Sequence, residues 1–157
     1  MPNPFIAVAL GLLPGIVWLI FFLQEDRQRP EPKTKILLTF LLGGCITFFV
    51  LQLQIALNYW LTSIGIVQWS SISIFWLAAT EEVAKFLIVY FAVRKMKSFD
   101  EAIDPMIYMI VAALGFASVE NVASALKTVN NFELVTLRFV GATLLHSLSS
   151  GLVGYWW

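Results

Sequence analysis

Glu81, Glu82 and Lys85 stand in the segment Ala78-Ala79-Thr80-Glu81-Glu82-Val83-Ala84-Lys85, in the middle of an apolar run over residues 72–93. The run is long enough to cross a bilayer, where ionisable side chains are costly and mark functional sites by default. On a helix Lys85 is i+4 from Glu81 and i+3 from Glu82, so it can reach either. It cannot neutralise both. One carboxylate must keep a proton or find another cation. The competing reading is a buried ion pair that only fixes helix packing, and the surplus glutamate argues against it. Two further ionisable groups lie in apolar runs: Glu120 and His146, the single histidine of the chain.

The elements that must position these groups are membrane spans. The 157 residues are 59% hydrophobic and only 13% charged, about half the usual soluble share. Mean hydropathy is +0.82. The formal charge is zero, which gives no electrostatic footprint for nucleic acid. The single cysteine, Cys45, cannot form an internal disulfide and reads as a packing residue. The first segment lacks the basic start and small-residue cleavage site of a signal peptide.

Five apolar runs, over residues 4–23, 36–57, 72–93, 105–126 and 137–157, each approach the roughly 20 residues a spanning helix needs. The expectation is an all-α polytopic transmembrane bundle with five spanning helices. Pro14-Gly15 predicts a kink in the first, and Asp104-Pro105 predicts an N-cap and first helical position for the fourth. Loop 24–35 carries Arg27, Arg29, Lys33 and Lys35, and loop 94–104 carries Arg94, Lys95 and Lys97. Loop 58–71 has no Lys or Arg but has Tyr59, Trp60 and Trp69, which suit the headgroup belt. The positive-inside rule therefore places loops 24–35 and 94–104 in the cytoplasm, with the N-terminus outside. The protein is expected in the cell membrane, multi-pass, with the lipid bilayer as its surroundings.

This topology sets depths. Glu81 and His146 each fall roughly 14 Å from the outer ends of their helices, and Glu120 roughly 9 Å. Three helices thus bring ionisable groups to one level in the outer half of the bilayer. Phe116, Glu120 and Asn121 lie on adjoining positions of the fourth helix, and His146 and Ser150 share a face of the fifth. Ala113, Gly115, Ala117, Gly141, Ser147, Gly151 and Gly154 flank them and permit close helix approach.

Three carboxylates and one lysine sum to minus two when all are ionised and His146 is neutral. A dry site will not hold that charge, so either protons are retained or a divalent cation is bound. Glu81, Glu120 and His146 would be acceptable zinc ligands. Both outcomes yield a base able to activate water. Other intramembrane chemistries fit less well. The chain has no H-E-x-x-H helix. Asp26, Asp100 and Asp104 lie at membrane edges, and no elbow motif presents Ser150 as a nucleophile.

The series Glu81-Glu82-x-x-Lys85, Asp104-x-x-x-Tyr108, Leu114-Gly115-Phe116-Ala117-x-x-Glu120-Asn121 and then His146 resembles the motif order of the PrsW-type intramembrane proteases. Pro14-Gly15, Asp26, Glu31-Pro32 and Phe40-Leu41-Leu42-Gly43 agree with it, so the resemblance covers nearly the whole chain. The family is related to the type II CAAX prenyl endopeptidases, in which His stands where this chain has Glu120. The resemblance implies a protease that cuts membrane-anchored, single-span proteins near the outer face, with anti-sigma factors as the substrate type. It further implies Glu81 as the main catalytic glutamate, Glu82 and Lys85 as setting its charge state, and Glu120 and His146 as completing the water or metal site. Phe116, Asn121 and Ser150 would support them. Two departures stand out. Pro105 replaces the family's usual Gly. Members also continue into a helix with a second His followed by an Asp, so residues 1–157 are expected to form a single transmembrane domain that is an incomplete copy.

The alternative is a non-enzymatic membrane protein, binding protons or cations or acting as a scaffold through the same cluster. A relay strings polar groups along the membrane normal, whereas a peptidase gathers them at one depth beside a cavity.

Overall fold

A computed structural model describes residues 3–25, 30–96, 99–127 and 131–157. Asp26, Arg27, Arg29 and Lys97, used in the loop reading, lie outside the described residues. Six helices follow one another: α1 Pro4–Glu25, α2 Lys33–Ser63, α3 Ser71–Val93, α4 Asp104–Lys127, α5 Asn131–Val140 and α6 Ala142–Tyr155. Among the described residues every regular element is helical. Three helical segments are long and apolar enough to cross a membrane: Pro4–Gln24, Lys33–Ser63 and Asp104–Lys127. Five uninterrupted spans were expected. The last expected span, residues 137–157, is instead divided at Gly141 between α5 and α6. A Cβ at Gly141 would come within 2.7 Å of the Leu137 carbonyl oxygen, so the division falls where only glycine fits.

Helix α4 is the axis of the bundle. Residues 104–118 are almost wholly buried, and α1, α2 and α6 pack around them. Small residues permit this. A Cβ on Gly43 of α2 would overlap the carbonyl of Ala112, and one on Gly115 would overlap the carbonyl of Phe40. The α2 and α4 backbones therefore touch, the close approach by which helices gain dispersion energy where lipid supplies no hydrophobic drive. Helix α6 meets α4 in the same way at Gly154, beside Met106.

Helix α3 packs mainly on α2, with fewer contacts to α4 and α6. A groove of about 560 Å³ separates it from α2, lined by Phe49, Trp76, Thr80 and Leu87. One of about 660 Å³ lies towards α6, lined by Glu82, Phe86, Leu152 and Trp156. At one end Trp157 packs on Phe86, Tyr90 and Phe99, with ring centroids 5.2, 5.5 and 5.3 Å away. At the other end the α2–α3 turn uses positive φ at Gly65 and Trp69, and Ser70 caps α3 by accepting from the Ser73 amide at 3.3 Å.

Two local expectations are corrected. The Asp104 carboxylate turns back to accept from the amides of Asp100 and Glu101, at 2.9 and 2.8 Å, closing the preceding loop instead of capping α4. Cys45 is exposed on the outside of α2, not packed in the core. As expected, Pro14 does not stop α1, which runs on through it.

Candidate active site

Three helices deliver the ionisable groups to one another. Glu81, Glu82 and Lys85 come from adjoining turns of α3, Phe116, Glu120 and Asn121 from α4, and His146 and Ser150 from α6. The imidazole of His146 lies between carboxylates. Its Nε2 is 3.1 Å from Glu120 Oε2, and its Nδ1 is 3.8 Å from Glu81 Oε2. Phe116, buried on α4, packs against the ring with centroids 5.6 Å apart.

The two neighbouring glutamates of α3 have different surroundings. Glu82 accepts three donors: Lys85 Nζ at 2.5 Å and Ser149 Oγ at 3.0 Å on one oxygen, and Ser150 Oγ at 2.7 Å on the other. Among the described residues Glu81 accepts only from Gln54 Nε2 of α2, at 2.8 Å on Oε1, and its Oε2 faces His146. Lys85 is fully buried. Beyond Glu82 it reaches His146 Nδ1 at 3.4 Å and lies over the Phe116 ring, 5.1 Å from its centroid.

Arg138 of α5, not among the residues expected at the site, enters the cluster. Its Nη2 is 3.2 Å from Glu120 Oε2, and its Nε donates to Asn121 Oδ1. Asn121 in turn donates to Thr143 Oγ1 at 3.0 Å. The formal count changes accordingly. Three carboxylates now face two fixed cations, Lys85 and Arg138.

Every side chain expected at the site thus belongs to one connected network, with Asn121 joined through Arg138. Gln54, Ser149, Thr143 and Arg138 are the members sequence reasoning missed. A signal existed for Arg138. A surplus of two negative charges called for retained protons or a further cation, and Arg138 is the last Lys or Arg before His146.

A cavity of about 240 Å³ opens on this network between α2, α4 and α5. Gln54, Phe116, Glu120, Lys127 and Arg138 line it, so a polar floor meets apolar walls from Phe48, Val50 and Leu51.

Glu81, Glu120 and His146 were the expected metal ligands. Glu120 Oε2 and His146 Nε2 are spaced as two ligands of one ion would be. Glu81, however, lies on the other ring nitrogen, and the Arg138 guanidinium occupies the same Glu120 oxygen. Among the described residues no three His, Cys, Asp or Glu side chains converge on a common point. As they stand, these side chains do not fit a divalent ion.

Comparison with known proteins gives a consistent result. The family described as "PrsW family intramembrane metalloprotease" matches residues 31–157. Protease PrsW of Geobacillus kaustophilus is 32% identical over 153 residues, covering 97% of this chain and 65% of that protein. Protease PrsW of Bacillus subtilis is 31% identical over 118 residues, covering 75% and 53%, and that of Clostridioides difficile is 28% identical over 125 residues, covering 80% and 52%. The chain therefore spans about half to two thirds of the length of these curated relatives. No solved structure matches it significantly. With a family match over four fifths of its length, this chain belongs to the PrsW family of intramembrane metalloproteases.

Proposed function

We propose that this chain carries the water-activating site of an intramembrane peptidase whose substrates are single-span, membrane-anchored proteins of the anti-sigma-factor type. The observation that carries the reading is the position of His146, with Glu120 on one ring nitrogen and Glu81 facing the other from a separate helix. Such an arrangement fixes the imidazole and leaves Glu81 Oε2 and His146 Nδ1 to share a water.

In this mechanism Glu81 takes a proton from the water as its oxygen attacks the scissile carbonyl carbon. The C–O bond forms, the carbonyl electrons move to oxygen, and Lys85 supplies positive charge beside the reacting centre. Collapse of the tetrahedral intermediate breaks the C–N bond, and the proton held by Glu81 passes to the leaving amine. Glu120 keeps His146 in one orientation. Glu82, saturated by Lys85, Ser149 and Ser150, holds Lys85 and fastens α3 to α6. A metal ion, where bound in the family, supplies a more acidic water. The donors among the described residues do not converge on one, and no step is routed through it.

The proposal extends to topology. The N-terminus is outside, and loops 24–35 and 94–104 are cytoplasmic in the cell membrane. Helix α3 crosses despite its three charges because they are paired inside the bundle, and α5 with α6 makes the fifth crossing. The test is cleavage of a single-span substrate by the full-length protein in liposomes. Glu81→Gln should abolish it, and parental cleavage by that variant would remove the peptidase reading.

A further inference from the structure

We infer that Arg138 is a positioning residue for the Glu120–His146 pair, an assignment that rests on the peptidase reading of the site. Its guanidinium is held at two points. Nη2 meets Glu120 Oε2 at 3.2 Å, and Nε donates to Asn121 Oδ1. Asn121 is itself anchored, since it is buried and donates to Thr143 Oγ1 at 3.0 Å on α6, where Thr143 is fully buried. Helix α5, which carries Arg138, is fixed to α1 by Trp18. The indole Nε1 donates to the Phe139 carbonyl at 2.9 Å, and the two rings lie 5.4 Å apart. The guanidinium therefore has a defined place before any substrate arrives.

This matters for His146 because the oxygen that meets Nε2 is the oxygen that meets Arg138. Glu120 is about a third exposed and faces the cavity. Without Arg138, the only hydrogen-bond partner left to that carboxylate among the described residues is the imidazole it is meant to orient. The planar fork of arginine can span Glu120 and Asn121 together, and a lysine ammonium at the same place can serve only as a point charge. Two other roles would also put an arginine here. It could merely tie α5 to α4, or, since it lines the cavity, it could bind substrate directly.

Steady-state cleavage of a single-span substrate by full-length Arg138→Gln and Arg138→Lys proteins in liposomes separates these roles, with Glu81→Gln measured alongside. Arg138→Gln should lower kcat about 100-fold, the cost of a misplaced reacting group, and leave KM unchanged. Arg138→Lys should recover about tenfold of that loss by keeping the charge without the fork. Should Arg138→Gln fail to fold, Arg138→Lys decides alone: a lower kcat at parental KM supports the assignment, and parental kcat overturns it. A raised KM with kcat kept makes Arg138 a substrate contact and overturns it too. So does a fall in kcat that tracks a lowered melting midpoint without rescue by lysine. If Glu81→Gln is inactive and the Arg138 variants are parental, only this assignment falls. If Glu81→Gln is fully active, the peptidase reading falls and takes this assignment with it.

Discussion

Ser150 Oγ donates to Glu82 Oε2 at 2.7 Å, and this bond joins α6 to α3 next to the candidate site. Ser150 is fully buried, and Glu82 also accepts from Ser149 and Lys85. Helix α3 is otherwise flanked by grooves, so the serines act as its clasp. Ser150→Ala should cost about 1.5–3 kcal/mol, the range for a hydrogen bond to a charged group. A lowered melting midpoint in detergent checks this. With Ser150 acting as a support in the proposed mechanism, cleavage should be reduced but measurable. Complete loss of cleavage by a protein of parental stability would favour a serine mechanism.

Gln54 should matter through charge. Its amide donates to Glu81 Oε1 at 2.8 Å and towards the Leu77 carbonyl at 3.4 Å. Gln54→Ala frees the Glu81 carboxylate to rotate away from His146 and should lower kcat on the order of tenfold. Gln54→Glu sets a second carboxylate against Glu81 and should lower it further. Equal activities for the two variants would show that Gln54 does not set the state of Glu81.

The α2–α4 contact gives a test in adjacent glycines. A Cβ on Gly43 would lie 2.7 Å from the Ala112 carbonyl carbon, a backbone atom that cannot turn aside. A Cβ on Gly44 would meet Val119 Cγ2 at 3.3 Å, which can yield slightly. Gly43→Ala should destabilise by about 3 kcal/mol or more, the upper end for overpacking. Gly44→Ala should stay within about 1 kcal/mol, since alanine also favours helix. Thermal melts of the two purified variants compare them directly.

Much of the site could be read from the chain before its structure. Intramembrane charges are rare enough that Glu81, Glu120 and His146 identify themselves, and helical rise converts position into depth. Phe116 and Ser150 followed from helix periodicity. What escaped was set by packing. Arg138 stands at the very start of the apolar run 137–157, and nothing in that run announces that the chain is already helical from Asn131 and breaks at Gly141. Gln54 carries no charge and lies in an otherwise apolar stretch, so only the approach of α2 to α3 gives it meaning. Asp104 signalled a helix start correctly, but its carboxylate serves the loop before it. The family-level signal lay in motif order, which periodicity alone does not provide.

Topology has its own test. In a Cys45→Ala background, a cysteine at Lys33 should react with an impermeant thiol reagent only from the cytoplasmic side, and one at Trp69 only from outside. Both side chains are exposed. Reaction of position 69 from the cytoplasmic side alone would invert the bundle and move the site to the inner half of the bilayer.

Glu120 and Glu81 address opposite nitrogens of one imidazole. Selective ¹⁵N-histidine labelling, with a His146→Gln protein to assign the signal, isolates the imidazole spectrum of His146. Solid-state NMR of the protein in lipid then reads each ring nitrogen separately. Glu120→Gln should shift mainly Nε2, and Glu81→Gln should shift mainly Nδ1. Unchanged resonances in both variants would mean that neither carboxylate faces His146, and the account of the site would be wrong.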